Sequence, residues 1–137
     1  MKEAVLAYTA GLIDGEGTIT LSRQNKKALW RCPIISCSST SYELLQFLKD
    51  NWGGSISKHK TYQDHHKQSW SWKLCRRRAL AMLHEISPYM LEPEKVRRSR
   101  MLLDEYLEIT PRNGKYSEDL KLRKASFELR FLHPSNS

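Results

Sequence analysis

The sequence predicts an α+β fold in which a four-stranded antiparallel sheet carries its helices on one face. Two observations predict it. Short extended segments come in two pairs, each joined by a polar connection, as hairpins do. Before, between and after the pairs, apolar residues recur every three or four positions and stop at glycine or proline. The predicted order is αββαββα with C-terminal helices added. Residues 1–110 form one domain and residues 111–137 a helical extension.

The first helix carries two apolar stripes, Val5, Tyr8, Thr9 and Leu12 on one side and Leu6, Ala10 and Ile13 on the other. Apolar on two faces, it needs two partners, one of which can lie outside the chain. It ends near Asp14-Gly15. Residues Thr18 to Arg23 alternate, with Thr18, Thr20 and Ser22 opposite Ile19 and Leu21. A polar turn over Gln24–Lys27 leads to a second strand over Leu29–Ser38, in which Pro33 marks an irregularity. Thr40-Ser41-Tyr42-Glu43 reads as a capping box. The helix it starts has a stripe of Leu44, Leu45, Phe47, Leu48 and Trp52 and ends at Gly53-Gly54. Ser55–Lys60 and Gln68–Leu74 form the second hairpin, with a polar, mobile tip over Thr61–Lys67. A third helix fits Arg76–Ile86 with Ala79, Leu83 and Ile86 inward, and Pro88 breaks it. Pro93 suits the first turn of a fourth, running to about Ile109. After Pro111-Arg112-Asn113-Gly114, a short helix spans about Leu120–Leu132, and the last residues fray.

The 137 residues include 23 Lys and Arg against 15 Asp and Glu, for a net charge of +8. That balance is the footprint of a nucleic-acid binder, and a membrane-surface protein or a basic enzyme shares it. No run approaches the ~18 apolar residues of a membrane span, and Met1-Lys2-Glu3 opens no signal peptide, so an intracellular protein with no membrane partner is expected. Three cysteines cannot pair completely within one chain. Cys32 and Cys37, five apart on a strand, fall on opposite faces and cannot share a zinc ion. His59, His65 and His66 have no ligand at finger spacing, so these histidines read as solvated and the thiols as reduced.

The most informative segment is Thr9-Ala10-Gly11-Leu12-Ile13-Asp14-Gly15-Glu16-Gly17. It runs from an apolar helix through glycines to one carboxylate, Glu16. Small residues at Ala10, Gly11 and Gly15 admit another backbone at close range. An acid at a helix end in a chain of net charge +8 suggests a metal beside a polyanion, as in a nuclease.

Residues Ala10–Gly17 resemble the signature of the LAGLIDADG homing endonucleases. The layout downstream is similar to theirs as well: two hairpins, a Thr-capped Leu-Leu helix ending in Gly-Gly, a Trp-rich strand and a Pro-Tyr-Met stretch. The resemblance covers residues 4–110, with Thr9 where Leu is usual and Glu16 where Asp is commoner. It implies a site-specific double-strand DNA endonuclease that hydrolyses phosphodiesters with a divalent metal. Glu16 is then catalytic and a metal ligand, the Gly15 carbonyl a second ligand, and Asp14 structural. Magnesium is the implied cofactor, replaceable by manganese, with calcium binding but not supporting cleavage. One motif implies half an enzyme: a homodimer on a long pseudo-palindromic site, joined through Thr9, Ala10, Gly11 and Ile13.

The resemblance lays the sheet in the major groove of duplex DNA. Alternation then turns Thr18, Thr20, Ser22, Ser57, His59, Ser69, Ser71 and Lys73 outward, and on the second strand Trp30, Cys32, Ile34 and Ser36, an oddly apolar set for groove reading. Arg23, Lys26, Lys58, Lys60 and Lys67, near hairpin tips, suit phosphates. The family's basic residue near the metals would fall at Pro93, which makes Lys95 the nearest cation, with Arg97 and Arg98 as further choices. Its water-positioning residue would map to Cys37, Ser38 or Ser39. The same scaffold also serves non-cleaving binders, RNA-splicing maturases or transcription factors.

Overall fold

The structure is a computed structural model that describes residues 1–60 and 67–134. The elements are α1 (Glu3–Glu16), β1 (Gly17–Ser22), β2 (Cys32–Ser39), α2 (Tyr42–Trp52), β3 (Ser55–Lys58), β4 (Trp70–Cys75), α3 (Arg76–Ile86), α4 (Pro93–Met101) and α5 (Glu118–Leu132). A π-helical turn over Leu102–Tyr106 and a 3-10 turn over Leu107–Ile109 prolong α4, so the single fourth helix expected to Ile109 loosens in its second half. Helix α1 runs to Glu16, past the expected stop at Asp14-Gly15. The β3–β4 tip, with His65 and His66, lies largely outside the described residues.

The four strands form one antiparallel sheet in the order β1-β2-β4-β3. The two hairpins therefore join through their return strands. Along β2, Pro33, Ile35 and Cys37 are buried, which puts Cys32 and Cys37 on opposite faces as expected. Pro33 sits in the ladder opposite Leu21, with no break in the β1–β2 register. Ile19, Leu21, Ile35, Trp72 and Leu74 form the sheet's side of a core completed by Ile13, Leu45, Leu48, Leu83 and Ile86. The opposite face stays open, as antiparallel sheets allow.

Two local features set the helix ends. The start of α2 is a correction: Ser41 is the cap rather than Thr40, and its hydroxyl donates to Glu43 Oε2 at 3.3 Å instead of satisfying an amide. At its other end Gly53 and Gly54 have φ of 84° and 89°, a region glycine enters freely. A Cβ on Gly54 would stand 2.4 Å from the Lys73 carbonyl oxygen, so the double glycine is also a close crossing of α2's exit over β4.

The C-terminal segment belongs to the same core. Phe127 and Phe131 are buried, and Arg97 Nη2 donates to the Phe131 carbonyl at 2.8 Å. Beside them Lys124 is buried at 1 % exposure, its ammonium donating to Thr110 Oγ1 and lying 4.1 Å from the Tyr106 ring centroid. No helix among the described residues is long and apolar enough to cross a membrane.

Candidate active site and nucleic-acid interface

Helix α1 buries one stripe: Leu6, Thr9, Ala10 and Ile13. Thr9 is fully buried, but its hydroxyl donates to the Val5 carbonyl at 2.7 Å and accepts from Trp52 Nε1 at 3.2 Å, which satisfies it. The opposite stripe, Ala4, Ala7, Tyr8, Gly11 and Gly15, is exposed. A Cβ at Gly11 or Gly15 would meet nothing within 4 Å. The partner set read from sequence needs correcting accordingly. Thr9, Ala10 and Ile13 are each 0 % exposed inside their own chain, and of the four only Gly11 can touch a neighbour. Ala4, Ala7, Gly11 and Gly15 recur at intervals of three and four, so they share the exposed side.

Glu16 closes α1 with an exposed carboxylate. The turn into β1 needs Gly17 for space, because a Cβ there would come within 2.9 Å of the Ile13 backbone. The helix end is anchored from the far side of the chain. Asp14 accepts from the Leu91 amide at 2.8 Å and the Glu92 amide at 3.3 Å, and so is structural. Lys95 Nζ donates to the Ile13 and Asp14 carbonyls at 3.0 and 2.6 Å, placing a cation on the negative end of the helix dipole. Lys95 also reaches a cleft of about 370 Å³ between the start of β1 and the start of α4. Cys37, opposite Gly17 in the ladder, completes the surroundings. Burial first, then the Glu16 charge, pushes its thiol pKa up, while Lys95 pulls the other way.

The other residues proposed near the metals differ in where they point, and Arg98 lines the same cleft as Lys95. Arg97 serves the end of α5, and Arg98 Nη1 donates to the Ile19 carbonyl at 2.8 Å on the outer edge of β1. Cys37 points into the core and Ser39 accepts from the Ser41 amide, leaving Ser38 as the one of the three on the open face, hydrogen-bonded to Ser71 at 2.7 Å. Glu16 is a single carboxylate, and no group of three His, Cys, Asp or Glu among the described residues could hold a metal. The donor set of one chain fits half of a divalent site, an exposed carboxylate beside the exposed Gly15.

The residues 3–88 match the family described as the LAGLIDADG-like domain, well over half of the chain. The chain belongs to that family. No curated protein sequence matches it. Among solved structures, the homing endonuclease I-CvuI in complex with the I-CreI target superposes with a TM-score of 0.71 at 14 % identity, covering 94 % of this chain and 80 % of that one. The homing endonuclease I-TnaI has a TM-score of 0.66 at 14 % identity, covering 91 % and 86 %. These two show the fold. I-SmaMI, a LAGLIDADG homing endonuclease bound to cleaved DNA, has a TM-score of 0.64 at 26 % identity over 95 % of this chain but 43 % of its own. The chain thus spans less than half of I-SmaMI.

In this LAGLIDADG chain the open face carries rows set by the ladder, such as Thr18, Ser36, Lys73 and Ser55 side by side, and Thr20 beside Ile34. Lys73 is exposed there. Ser57 is exposed as well, and Ser22 is half-buried at the far end opposite Cys32. Ser71 is a correction: it is 8 % exposed and bound to Ser38, so its hydroxyl is not free to meet a base edge. His59 and Ser69 bond each other at 2.8 Å. Lys58 shares its parity with Ile56, which pairs with the buried Trp72, and so sits on the helix side of the edge strand. Arg23, Lys26, Lys60 and Lys67 are exposed near the tips. Sequence reasoning missed one basic group, Arg76, Arg77 and Arg78 with Arg112, which gather at the end of the sheet farthest from Glu16. The signal was present as three successive arginines at a helix start, where the dipole disfavours cations.

Proposed function

We propose that the chain is a site-specific DNA endonuclease that acts as a homodimer on a long pseudo-palindromic site. One observation carries the reading: the exposed stripe of small residues on α1 ends at the exposed carboxylate of Glu16. A second copy packed on that stripe brings a second Glu16 beside the first, and the two-fold axis between them becomes the axis of the DNA site.

Glu16 and the Gly15 carbonyl would hold magnesium, which supplies Lewis acidity and an activated water at the scissile phosphate. I-CvuI complexes were obtained in magnesium, with DNA not cleaved, and in calcium, which favours divalent metal use here too. Manganese should replace magnesium, and calcium should support binding alone. Lys95 holds the end of α1 in place and puts a fixed positive charge near the acid, where it stabilises negative charge developing on the phosphate. The open face of the sheet meets base edges through Thr18, Thr20, Ser36, Ser57 and Lys73, while tip cations hold phosphates.

The test selects cleaved duplexes from a random library with and without magnesium, using the wild type and Glu16→Gln. The substitution removes a ligand charge and little volume. Cleavage by the variant should fall at least about a hundredfold while duplex affinity stays within about tenfold. Enrichment of bound but never cleaved duplexes by the wild type would identify a non-cleaving binder on the same scaffold.

A further inference from the structure

A pocket of about 560 Å³ opens where β2 and β4 meet the start of α3, lined by Arg76, Arg77, Arg78 and Arg112. No Asp or Glu lines it, and none of the four arginines forms an ion pair among the described residues. All four are exposed. Elsewhere Arg31, Arg97, Arg98, Arg123 and Arg130 each have a carboxylate within 4.0 Å; Arg23 and Arg100 have none either, but only in this group do unpaired arginines line one pocket.

The local structure works against stability in three ways. Three cations stand in the first turn of α3, where the helix dipole repels them and no acid offsets it. Cys75 gives the α3 amides no side-chain cap. Arg76 has φ of 63°, the only positive value at a non-glycine residue among those described. Local conflicts of this kind concentrate where a ligand relieves them. An anion in the pocket would neutralise the arginines and meet the open amides at once.

The pocket's position names the anion. Cys32 and Cys75, also in its wall, share their strand faces with Ser36 and Lys73, while Tyr106, Thr110 and Pro111 close it from the helical side, so the pocket lies at the end of the sheet where the open face meets the helices. It lies a strand length away from Glu16, roughly 17 Å at the usual rise per residue. We propose that it is a second phosphate-binding site, which grips the backbone of duplex DNA beyond the base pairs that the sheet reads. The proposal rests on the DNA-binding reading above.

The experiment measures duplex affinity of the full chain by fluorescence anisotropy across a salt series. It compares the wild type, Arg77→Gln/Arg112→Gln, and the control Lys121→Gln/Arg123→Gln, which removes the same charge from the outer surface of α5. The pocket variant should lower the slope of log K against log salt by roughly 0.9 for each phosphate it no longer neutralises. Its affinity near 0.1 M salt should fall on the order of tenfold, while the control keeps the wild-type slope. A cooperative thermal melt for each variant establishes that the fold is intact, and Arg112→Gln alone, in a loop, should show half the effect. Equal slopes for wild type and pocket variant overturn the site, and so does a control that falls as far. A wild type that binds no duplex even at low salt overturns the functional reading, and this site with it.

Discussion

Replacing Lys124 with methionine should stabilise the protein at neutral pH. The ammonium is buried at 1 % exposure, and burial holds its pKa down from 10.5 to about 8 against a smaller opposing pull from the Glu128 carboxylate. At ~1.4 kcal/mol per pKa unit, keeping the proton costs the folded state roughly 3 kcal/mol. Methionine escapes that cost and keeps most of the volume, but it gives up the bond to Thr110, on the order of 1 kcal/mol. The net gain is about 2 kcal/mol near pH 7. The sign reverses at high pH. Below pH 8 folded and unfolded chains both hold the proton, and the penalty is complete. From about 8 to 10.5 the folded chain gives it up first while the unfolded chain retains it, so wild-type stability rises relative to the variant. The two should cross near pH ~10, where the wild type keeps its Thr110 bond without a charge. Groups that do not couple to Lys124 cancel in the difference; Cys32, whose thiol pKa burial raises, does couple to it and acts in the same direction as Glu128. Urea unfolding of both proteins at pH 7, 8, 9 and 10 reads it directly. A variant less stable at pH 7, or a difference that does not change with pH, refutes the reasoning.

Gly11→Leu should leave the folded chain intact, because a Cβ there meets no atom of its own chain within 4 Å, yet should yield monomers by light scattering where the proposed wild-type dimer is expected. Ala10→Leu, in a site with 0 % exposure, should instead unfold at lower temperature, by overpacking of about 1–3 kcal/mol. Lys95→Met should be less stable by roughly 1–3 kcal/mol in urea unfolding, since the Asp14 carbonyl loses its partner and the Ile13 carbonyl keeps only the Gly17 amide, and should lower cleavage more than binding. Lys73→Ala should relax discrimination at one or two symmetric base pairs by roughly 1–3 kcal/mol, whereas Lys26→Ala should weaken all sites alike and flatten the salt dependence; profiling single-base variants of the selected site separates them.

The order of elements, the inward residues of β1 and β4, and the single acid at the end of α1 were all legible in the chain before folding. These follow from periods of two and of three to four and from glycine and proline punctuation, all of which act within a few residues. The structural role of Asp14 followed from the resemblance, but its partners, the Leu91 and Glu92 amides 77 and 78 positions away, came only with packing. Which side of α1 faces inward was a matter of long-range packing. Thr9, Ala10 and Gly11 are all small, and Trp52, 43 positions away, turns the Thr9 hydroxyl into the core. Packing likewise brought Lys95 to the carbonyls at the Glu16 end and turned Arg97 away, because α4 crosses there with one face toward α1 and another toward α5. The arginine pocket has the same origin. Arg112 meets Arg76–Arg78 through the packing of the turn after Ile109 against the end of the sheet, a contact that no local pattern encodes. Periodicity tells a residue which face of its own element it occupies; only packing between distant elements tells that face what it will meet.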